Sequence, residues 1–265
     1  MMKKVPLLYV TARVILTFMI LIFSLSLPLN TESVLAFSTT PTSEVSPIEN
    51  LARPTDNLIQ AIGWADNFDS YATDVSLHGL GGWKGWQNSP AATAYTSGTQ
   101  ALSTPNSVDI SSAADLVHEY SGYIAGEWVY TAWQYIPTDF AGESYFILLN
   151  QYDDAGNTLN WSVQVNFSSS TNQVENTGAS GGTLPLIKGT WVELRTEIDL
   201  TNDLCAFYYG GQLLYQATWT GEVSGGGINN IAALDLFANG ASSIYYDNIS
   251  LTPPPKLLYL PLITR

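Results

Sequence analysis

Asn160-Trp-Ser-Val-Gln-Val-Asn-Phe167 alternates without a break. Trp161, Val163, Val165 and Phe167 fall on one side of an extended chain; Asn160, Ser162, Gln164 and Asn166 fall on the other. A period of two sustained over this length predicts a strand with one buried face. Just upstream, Asp153-Asp-Ala-Gly-Asn157 is turn chemistry, and it separates this strand from the apolar run 145–152, so the two predict a hairpin. Residues 191–200 repeat the pattern: Val192, Leu194, Ile198 and Leu200 inward, Glu193, Arg195, Glu197 and Asp199 outward. Residues 206–209, the pair Gly210-Gly211 and residues 212–215 predict a second, tighter hairpin. The same texture runs from Gly63 to Leu251, about a dozen short strands between Gly, Asn, Asp and Ser turns, with no helical period and no internal repeat. One uninterrupted block of roughly 190 residues predicts a single all-β domain over 63–252, with two antiparallel sheets packed as a jelly-roll sandwich.

The flanks read differently. Lys3 and Lys4 precede the apolar run Val14-Ile-Leu-Thr-Phe-Met-Ile-Leu-Ile-Phe-Ser-Leu-Ser-Leu-Pro-Leu29, and Val34-Leu35-Ala36 offers small residues for cleavage. Residues 1–36 thus predict a signal peptide. Read instead as an uncleaved anchor, the run is shorter than the 18 or so residues that span comfortably, and Pro28 breaks its end. Both readings place the remainder outside the cytoplasm, secreted or at the cell envelope, and cleavage leaves no stable membrane span. Residues 37–62 are a Ser/Thr/Pro-rich linker. Residues 253–265 are a stiff Pro253-Pro-Pro255 spacer and a short apolar tail, whose Tyr-Leu-Pro-Leu and final Arg resemble the ending of many secreted proteins of some bacteria.

Charge narrows the partners. The formal net charge is −14, from 9 Lys+Arg against 23 Asp+Glu. Losing Lys3, Lys4, Arg13 and Glu32 with residues 1–36 takes it to about −16. Such a surface repels nucleic acid and anionic lipid, and it disfavours acidic polymers such as polyuronates. The single cysteine, Cys205, sits in an apolar strand pattern with no Cys or His at metal spacing, which predicts a small buried hydrophobe.

Three stretches carry a resemblance. Asp66-Asn-Phe-Asp-Ser-Tyr71 is followed by Gly81-Gly-Trp-Lys-Gly-Trp86; Gly189-Thr-Trp-Val-Glu-Leu194 leads through Asp199 to Phe207-Tyr-Tyr-Gly-Gly-Gln212; Tyr246-Asp-Asn-Ile-Ser-Leu251 closes the block. In that order and spacing they resemble the concanavalin A-like lectin/glucanase superfamily, in its LamG-type and carbohydrate-binding-module branch. The resemblance implies a jelly roll, but that fold hosts lectins, glycosidases, lyases and spacers alike. In related modules a structural calcium sits where first and last strands meet, which would draw on Asp66, Asp69 and Asp247, with Asn248 nearby.

Catalysis finds little support in the residues. Glu197-Ile-Asp199 resembles the start of the Glu-x-Asp-x-Glu strand of laminarinase-like glucanases, where the first Glu is the nucleophile and the last the acid; here Thr201 stands in the last position. A retaining glycosidase needs two carboxyls about 5–5.5 Å apart. Glu193 lies four strand residues from Glu197, roughly 13 Å away, so the second carboxyl would have to come from Glu119, Glu127 or Glu143 on another strand. Pairing through Arg195 accounts for the row as a solvated face. His78 and His118 have no partner spacing and read as loop or surface residues. Three Asn-x-Ser sequons, at Asn160, Asn166 and Asn248, are near chance in an Asn- and Ser-rich chain and would matter only in a glycosylating host.

Sugar binding needs flat aromatic faces and amides, and the chain has 8 Trp and 15 Tyr. Trp161 and Trp191 read as core. Trp83 and Trp86 lie in a glycine-rich loop that no core period claims; Trp133 and Tyr135 share one strand face opposite Gln134; Gln164 and Asn166 could floor a groove; Trp219 lies in a Gly/Thr loop. These seven are the expected ligand contacts, for a neutral polysaccharide or cell-surface glycan bound without catalysis. The rivals are a structural or adhesive domain with no small ligand, and a glycosidase with a degenerate motif.

Overall fold

A computed structural model describes residues 63–255. The signal segment, the linker and the tail from residue 256 lie outside the described residues. Among those described there are fifteen strands and no α-helix, in two antiparallel sheets. Numbered in chain order, the seven-stranded sheet runs β10 (Thr183–Pro185), β9 (Gln173–Asn176), β8 (Asn160–Ser168), β7 (Glu143–Gln151), β14 (Ala233–Phe237), β5 (Asp115–Glu119) and β2 (Trp83–Gly85). The other runs β13 (Gln212–Ala217), β12 (Leu204–Tyr209), β11 (Trp191–Asp199), β6 (Glu127–Tyr135), β15 (Ile244–Thr252), β4 (Ser107–Ile110) and β3 (Tyr95–Ser97), with β1 (Trp64–Asp66) added on β15. β1 pairs antiparallel with the end of β15, so the first and last strands lie side by side in the same sheet.

Both expected hairpins form. β7 pairs with β8 across the Asp153 turn, where Asp153 Oδ1 accepts the Asn157 N–H. β12 pairs with β13 across Gly210 (φ 56°) and Gly211 (φ 77°). Two successive positive φ values make the tight turn whose twist matches the flanking strands, and glycine adopts them without a Cβ clash.

The core lies between the sheets. Val192, Leu194 and Ile198 of β11 face Phe146 and Leu148 of β7 and Val163, Val165 and Phe167 of β8. Buried aromatics dominate it, and their polar atoms find partners: Trp219 Nε1 donates to Asn230 O (2.9 Å), Trp128 Nε1 to Ala125 O (2.9 Å), and Gln134 Nε2 to the Tyr246 hydroxyl (2.8 Å). Such bonds let Trp and Gln be buried without the cost of an unmade hydrogen bond. Cys205 is buried as expected, and burial pushes its thiol up to about 12, so it stays protonated.

Strand β8 departs from its sequence pattern at one point. Leu148 pairs with Val163 but Leu149 pairs with Trp161, so Ser162 is one residue too many for the ladder. An extra residue switches parity beyond it. Trp161 therefore leaves the core face it was expected to share with Val163 and Val165, and turns to the outer face of the seven-stranded sheet. Ser162 turns aside to accept from Asn150 Nδ2 (2.8 Å), and Asn150 is in turn the extra residue on β7 before Gln151 pairs with Asn160. The expected polar row is cut to Gln164 and Asn166.

Candidate functional site

The outer face of the seven-stranded sheet is not the polar surface that a one-sided sandwich would present. Val117, Ile147, Leu149 and Ala233 form a second apolar cluster there, covered by Trp86, Tyr145, Tyr152, Trp161 and Phe237. Trp86 lies against Trp161 with ring centroids 6.1 Å apart and planes at 26°, and meets Tyr152 edge-on at 5.1 Å. Tyr145 and Phe237 form a second near-parallel pair at 5.9 Å and 22°. All five rings are half-buried, so each keeps surface toward solvent.

Trp86 is held by its loop. It opens a single 3₁₀ turn in which Gln87 has φ 52° and Asn88 φ 58°, left-handed conformations that cost a non-glycine residue energy. The Gln87 N–H donates to the Tyr152 hydroxyl (2.8 Å), which pins the turn to the β7–β8 hairpin. Burial, with Asp154 alongside, keeps the Tyr152 phenol raised and therefore neutral.

Between the two aromatic pairs lies a groove of about 370 Å³, near the low end for small-molecule sites. Its polar lining is Gln164, Asn239, Asp115 and Asp235. Asp115 on β5 and Asp235 on β14 are diagonal neighbours, since Asp235 pairs with Val117 and Phe237 with Asp115. Asp235 is 3% exposed. The Oδ1 atoms of both are buried and have no donor elsewhere in the protein, and the two side chains lie within hydrogen-bond reach of each other. Burial is the first cause raising each carboxyl, and for Asp235 the charge on Asp115 adds to it.

The seven expected contact residues divide among three places. Trp86 and Gln164 line this groove, and Asn166 neighbours it opposite Tyr145, buried, with its Oδ1 unpartnered. Trp83 is 1% exposed and Trp219 0%, so both are core. Trp83 packs against Trp64, Phe68 and His118 and donates from Nε1 to Asp66 Oδ2 (2.8 Å). Its glycine-rich flank masked a short buried strand. Trp133 and Tyr135 do share a face, but it is the outer face of the other sheet, where Tyr135 meets Trp191 (5.7 Å) and Tyr245 (6.5 Å). Trp191, expected in the core, sits there half-buried.

His118 is likewise not a surface residue. It is 7% exposed in a box of Trp64, Trp83 and Tyr120 rings, and burial pushes its imidazole down to about 4. Neutral at pH 7, it has Nε2 3.2 Å from the Gly81 carbonyl.

The three aspartates expected at a calcium site do not fit one. Asp66 Oδ1 accepts the Phe68 N–H (2.8 Å), and its Oδ2 accepts the Tyr71 hydroxyl (2.7 Å) and Trp83. Asp69 accepts the Asn106 N–H (3.1 Å) and Asn67 Nδ2 (2.8 Å). Asp247, fully buried, accepts the Leu102, Ser103 and Asn248 N–H groups. Each carboxylate is turned to the protein's own donors, and among the described residues no three Asp, Glu, His or Cys side chains converge at metal-holding distance. These aspartates tie loops to the sheet ends.

A larger groove, about 620 Å³, crosses the outer face of the other sheet beside Glu127, Glu193, Arg195 and Glu197. Arg195 pairs along its own strand with Glu197 and with Glu193 (3.9 Å) and lies 4.1 Å over the Tyr208 ring, while the Tyr208 hydroxyl donates to Glu197 Oε2 (3.2 Å). Glu197 is thus held as an ion-pair partner. Of its proposed carboxyl partners, only Glu127 is on that face; Glu119 and Glu143 are on the opposite sheet. Trp128, the aromatic lining this groove, is 5% exposed.

No family model matches the sequence, and no curated protein matches it. Solved structures do align. A sialidase aligns over 74% of this chain with a TM-score of 0.52 at 9% identity. The carbohydrate-binding module CBM66 from Bacillus subtilis aligns over 64% of this chain and 95% of its own, with a TM-score of 0.43 at 12% identity. The galectin LEC-6 from Caenorhabditis elegans aligns over 51% and 89%, with a TM-score of 0.37 at 9% identity. The chain spans only 19% of the sialidase's length. At these identities the likeness to the sialidase is one of fold, the two-sheet jelly-roll sandwich.

Proposed function

We propose that this chain is a secreted carbohydrate-binding domain that takes a neutral polysaccharide or cell-surface glycan in the groove of the seven-stranded sheet, without catalysis. The observation that carries the reading is the pairing of ring faces with polar atoms. Trp86 over Trp161 and Tyr145 over Phe237 flank a floor of amides and carboxyls. A pyranose has apolar faces and a polar rim, and this lining offers a partner to each.

Two carboxyls in a groove also raise the hydrolase reading, and their spacing argues against it. The two-carboxyl mechanisms need the groups about 5–5.5 Å apart for retention, or farther for inversion, so that the anomeric carbon or a water fits between. Asp115 and Asp235 are close enough to hydrogen-bond each other, which leaves room for neither.

The test is binding of the full chain to a panel of insoluble and soluble polysaccharides, by pull-down and calorimetry, with sugar release followed in the same tubes. Saturable binding to a neutral polysaccharide, lost in Trp86→Ala and with no reducing ends released, is the expected result. Binding that survives Trp86→Ala at wild-type strength overturns the location, and release of reducing ends overturns the non-catalytic reading.

A further inference from the structure

The groove holds one feature that stacking alone does not require. Asp235 stands at the middle of β14 between Leu234 and Leu236, on a strand otherwise apolar from Ile231 to Phe237, and it is buried rather than solvated. A strand-centre acid with a buried Oδ1 that no protein donor reaches is costly to keep, and a well-packed apolar residue there would extend the neighbouring cluster of Val117, Ile147 and Ala233. Asp115 beside it adds a second carboxyl whose Oδ1 is buried without a donor. The charged and titratable groups around the pair do not compensate. Tyr145 on β7 faces it, its phenol raised by burial first and by Glu143 second; Tyr246 lies across the core on β15, also raised by burial; Trp86 and Gln164 bring no charge. No Lys or Arg lines the groove. Lys84, on the strand next to β5, is engaged by Glu119 and by Asp154 (2.7 Å).

We propose that Asp115 and Asp235 together are the specificity-determining pair of this groove, accepting from two neighbouring hydroxyls of an uncharged sugar ring and turning away sugars that carry a carboxylate. The proposal rests on the carbohydrate-binding reading and deepens it. Both carboxyls line the groove from adjacent strands, between the two aromatic walls, so a ring stacked on those walls brings its hydroxyls to the pair. Hydrogen bonds to a carboxyl are directional and strong, so the pair fixes the orientation of a ring that stacking alone leaves free to rotate. A uronate carboxylate in the same position meets two carboxyls and no cation, with nothing to offset its desolvation. Retaining a costly acid pair across two adjacent strands is what a site that reads hydroxyls requires, because an analogue lacking them leaves the carboxyls without donors.

The experiment measures affinity and thermal midpoint together for the full chain and for Asp115→Asn, Asp235→Asn and Trp86→Ala. The probes are a β-glucan, a xylan and a mannan as neutral polysaccharides, and alginate and polygalacturonate as polyuronates. Asparagine keeps the shape and removes the charge, so both Asn variants should fold with midpoints no lower than wild type. The expected result is a loss of tenfold or more in affinity for the neutral glycan in each Asn variant, with relative binding of polyuronate rising. If Trp86→Ala abolishes binding while both Asn variants bind within twofold of wild type, the groove is the site but the pair does not read the sugar, and this proposal fails alone. If wild type binds none of the neutral probes, or all three variants bind as wild type does, the carbohydrate reading fails and takes the pair with it.

Discussion

Trp83 and Trp86 are three residues apart in one glycine-rich segment, and the structure assigns them opposite jobs. Trp83→Ala removes a side chain that is 1% exposed, packed against Trp64, Phe68 and His118, with its indole N–H bonded to Asp66. Truncating a buried Trp costs about 3–5 kcal/mol. Asp66 Oδ2 keeps the Tyr71 hydroxyl, so the carboxylate is not orphaned and adds little to that cost. In a domain of this size each kcal/mol lowers the midpoint by about 2–4 °C, so the drop should be roughly 6–20 °C. Trp86→Ala gives up two half-exposed ring contacts, each worth about 0.5–1.5 kcal/mol, and should lower the midpoint by roughly 2–12 °C, less than Trp83→Ala. Binding should divide the other way. Trp86→Ala loses about tenfold or more in affinity, which is 1.4 kcal/mol, while folded Trp83→Ala binds as wild type does. Scanning calorimetry gives the first pair of numbers and titration calorimetry, well below the lower midpoint, gives the second. A Trp83→Ala protein with an unchanged midpoint and no glycan binding would refute the reasoning, because it would place Trp83 at the ligand and not in the core.

Other outcomes follow from the same geometry. Asp235 has its folded-state pKa raised from the ordinary 3.8, so the unfolded chain loses this proton first as pH rises. Stability from the pair is therefore full below about pH 4 and declines through the window above it, by up to about 1.4 kcal/mol per pH unit for the one proton. Urea melts of Asp235→Asn and wild type should diverge as pH rises from 4 to 8, the variant gaining; parallel curves would deny the raised value. Trp133→Ala, on the opposite sheet, should leave glycan affinity within twofold of wild type by titration. Glu197→Gln breaks a surface pair with Arg195 and should change stability by less than about 1 kcal/mol, with no change in binding. EDTA should leave the thermal midpoint unchanged, since the aspartates at the strand ends already have protein donors; a fall reversed by calcium would show that a cation sits there.

Much of the sandwich could be read from period alone. The β11 row of Val192, Leu194 and Ile198 needs one face in oil and one in water, and only the strand period supplies both. The pairings of β7 with β8 and β12 with β13 were legible because turn chemistry fixes which residues can sit at positive φ. The site was legible in kind, aromatics with amides, and in place only for Trp86, Gln164 and the neighbouring Asn166. Trp133 and Gln164 both face outward, yet which sheet a strand joins depends on long-range pairing that local alternation does not encode.

The groove itself depends on departures from regularity. Had β8 kept its alternation, Trp161 would have stayed inside with Val163, and Trp86 would have had no ring to lie against. One extra residue at Ser162 moves an indole from core to surface and thereby builds half of the aromatic wall. A bulge shifts parity without any change in residue type, so nothing in the string Asn160–Ser168 announces it. Asp235 did leave a signal. An acid centred in an apolar strand is costly, and β14 is a strand along its whole length: Ala233, Leu234, Leu236 and Phe237 all pair in register with β7 and β5. The same argument turns the unbroken apolar run of β7 into evidence. A strand apolar on both faces must be covered on both, and in the outer layer of a two-sheet sandwich the cover is supplied by loops and rings. Between Trp86–Trp161 and Tyr145–Phe237 that cover leaves a groove lined by the two carboxyls, and on the proposed reading a sugar ring fills it.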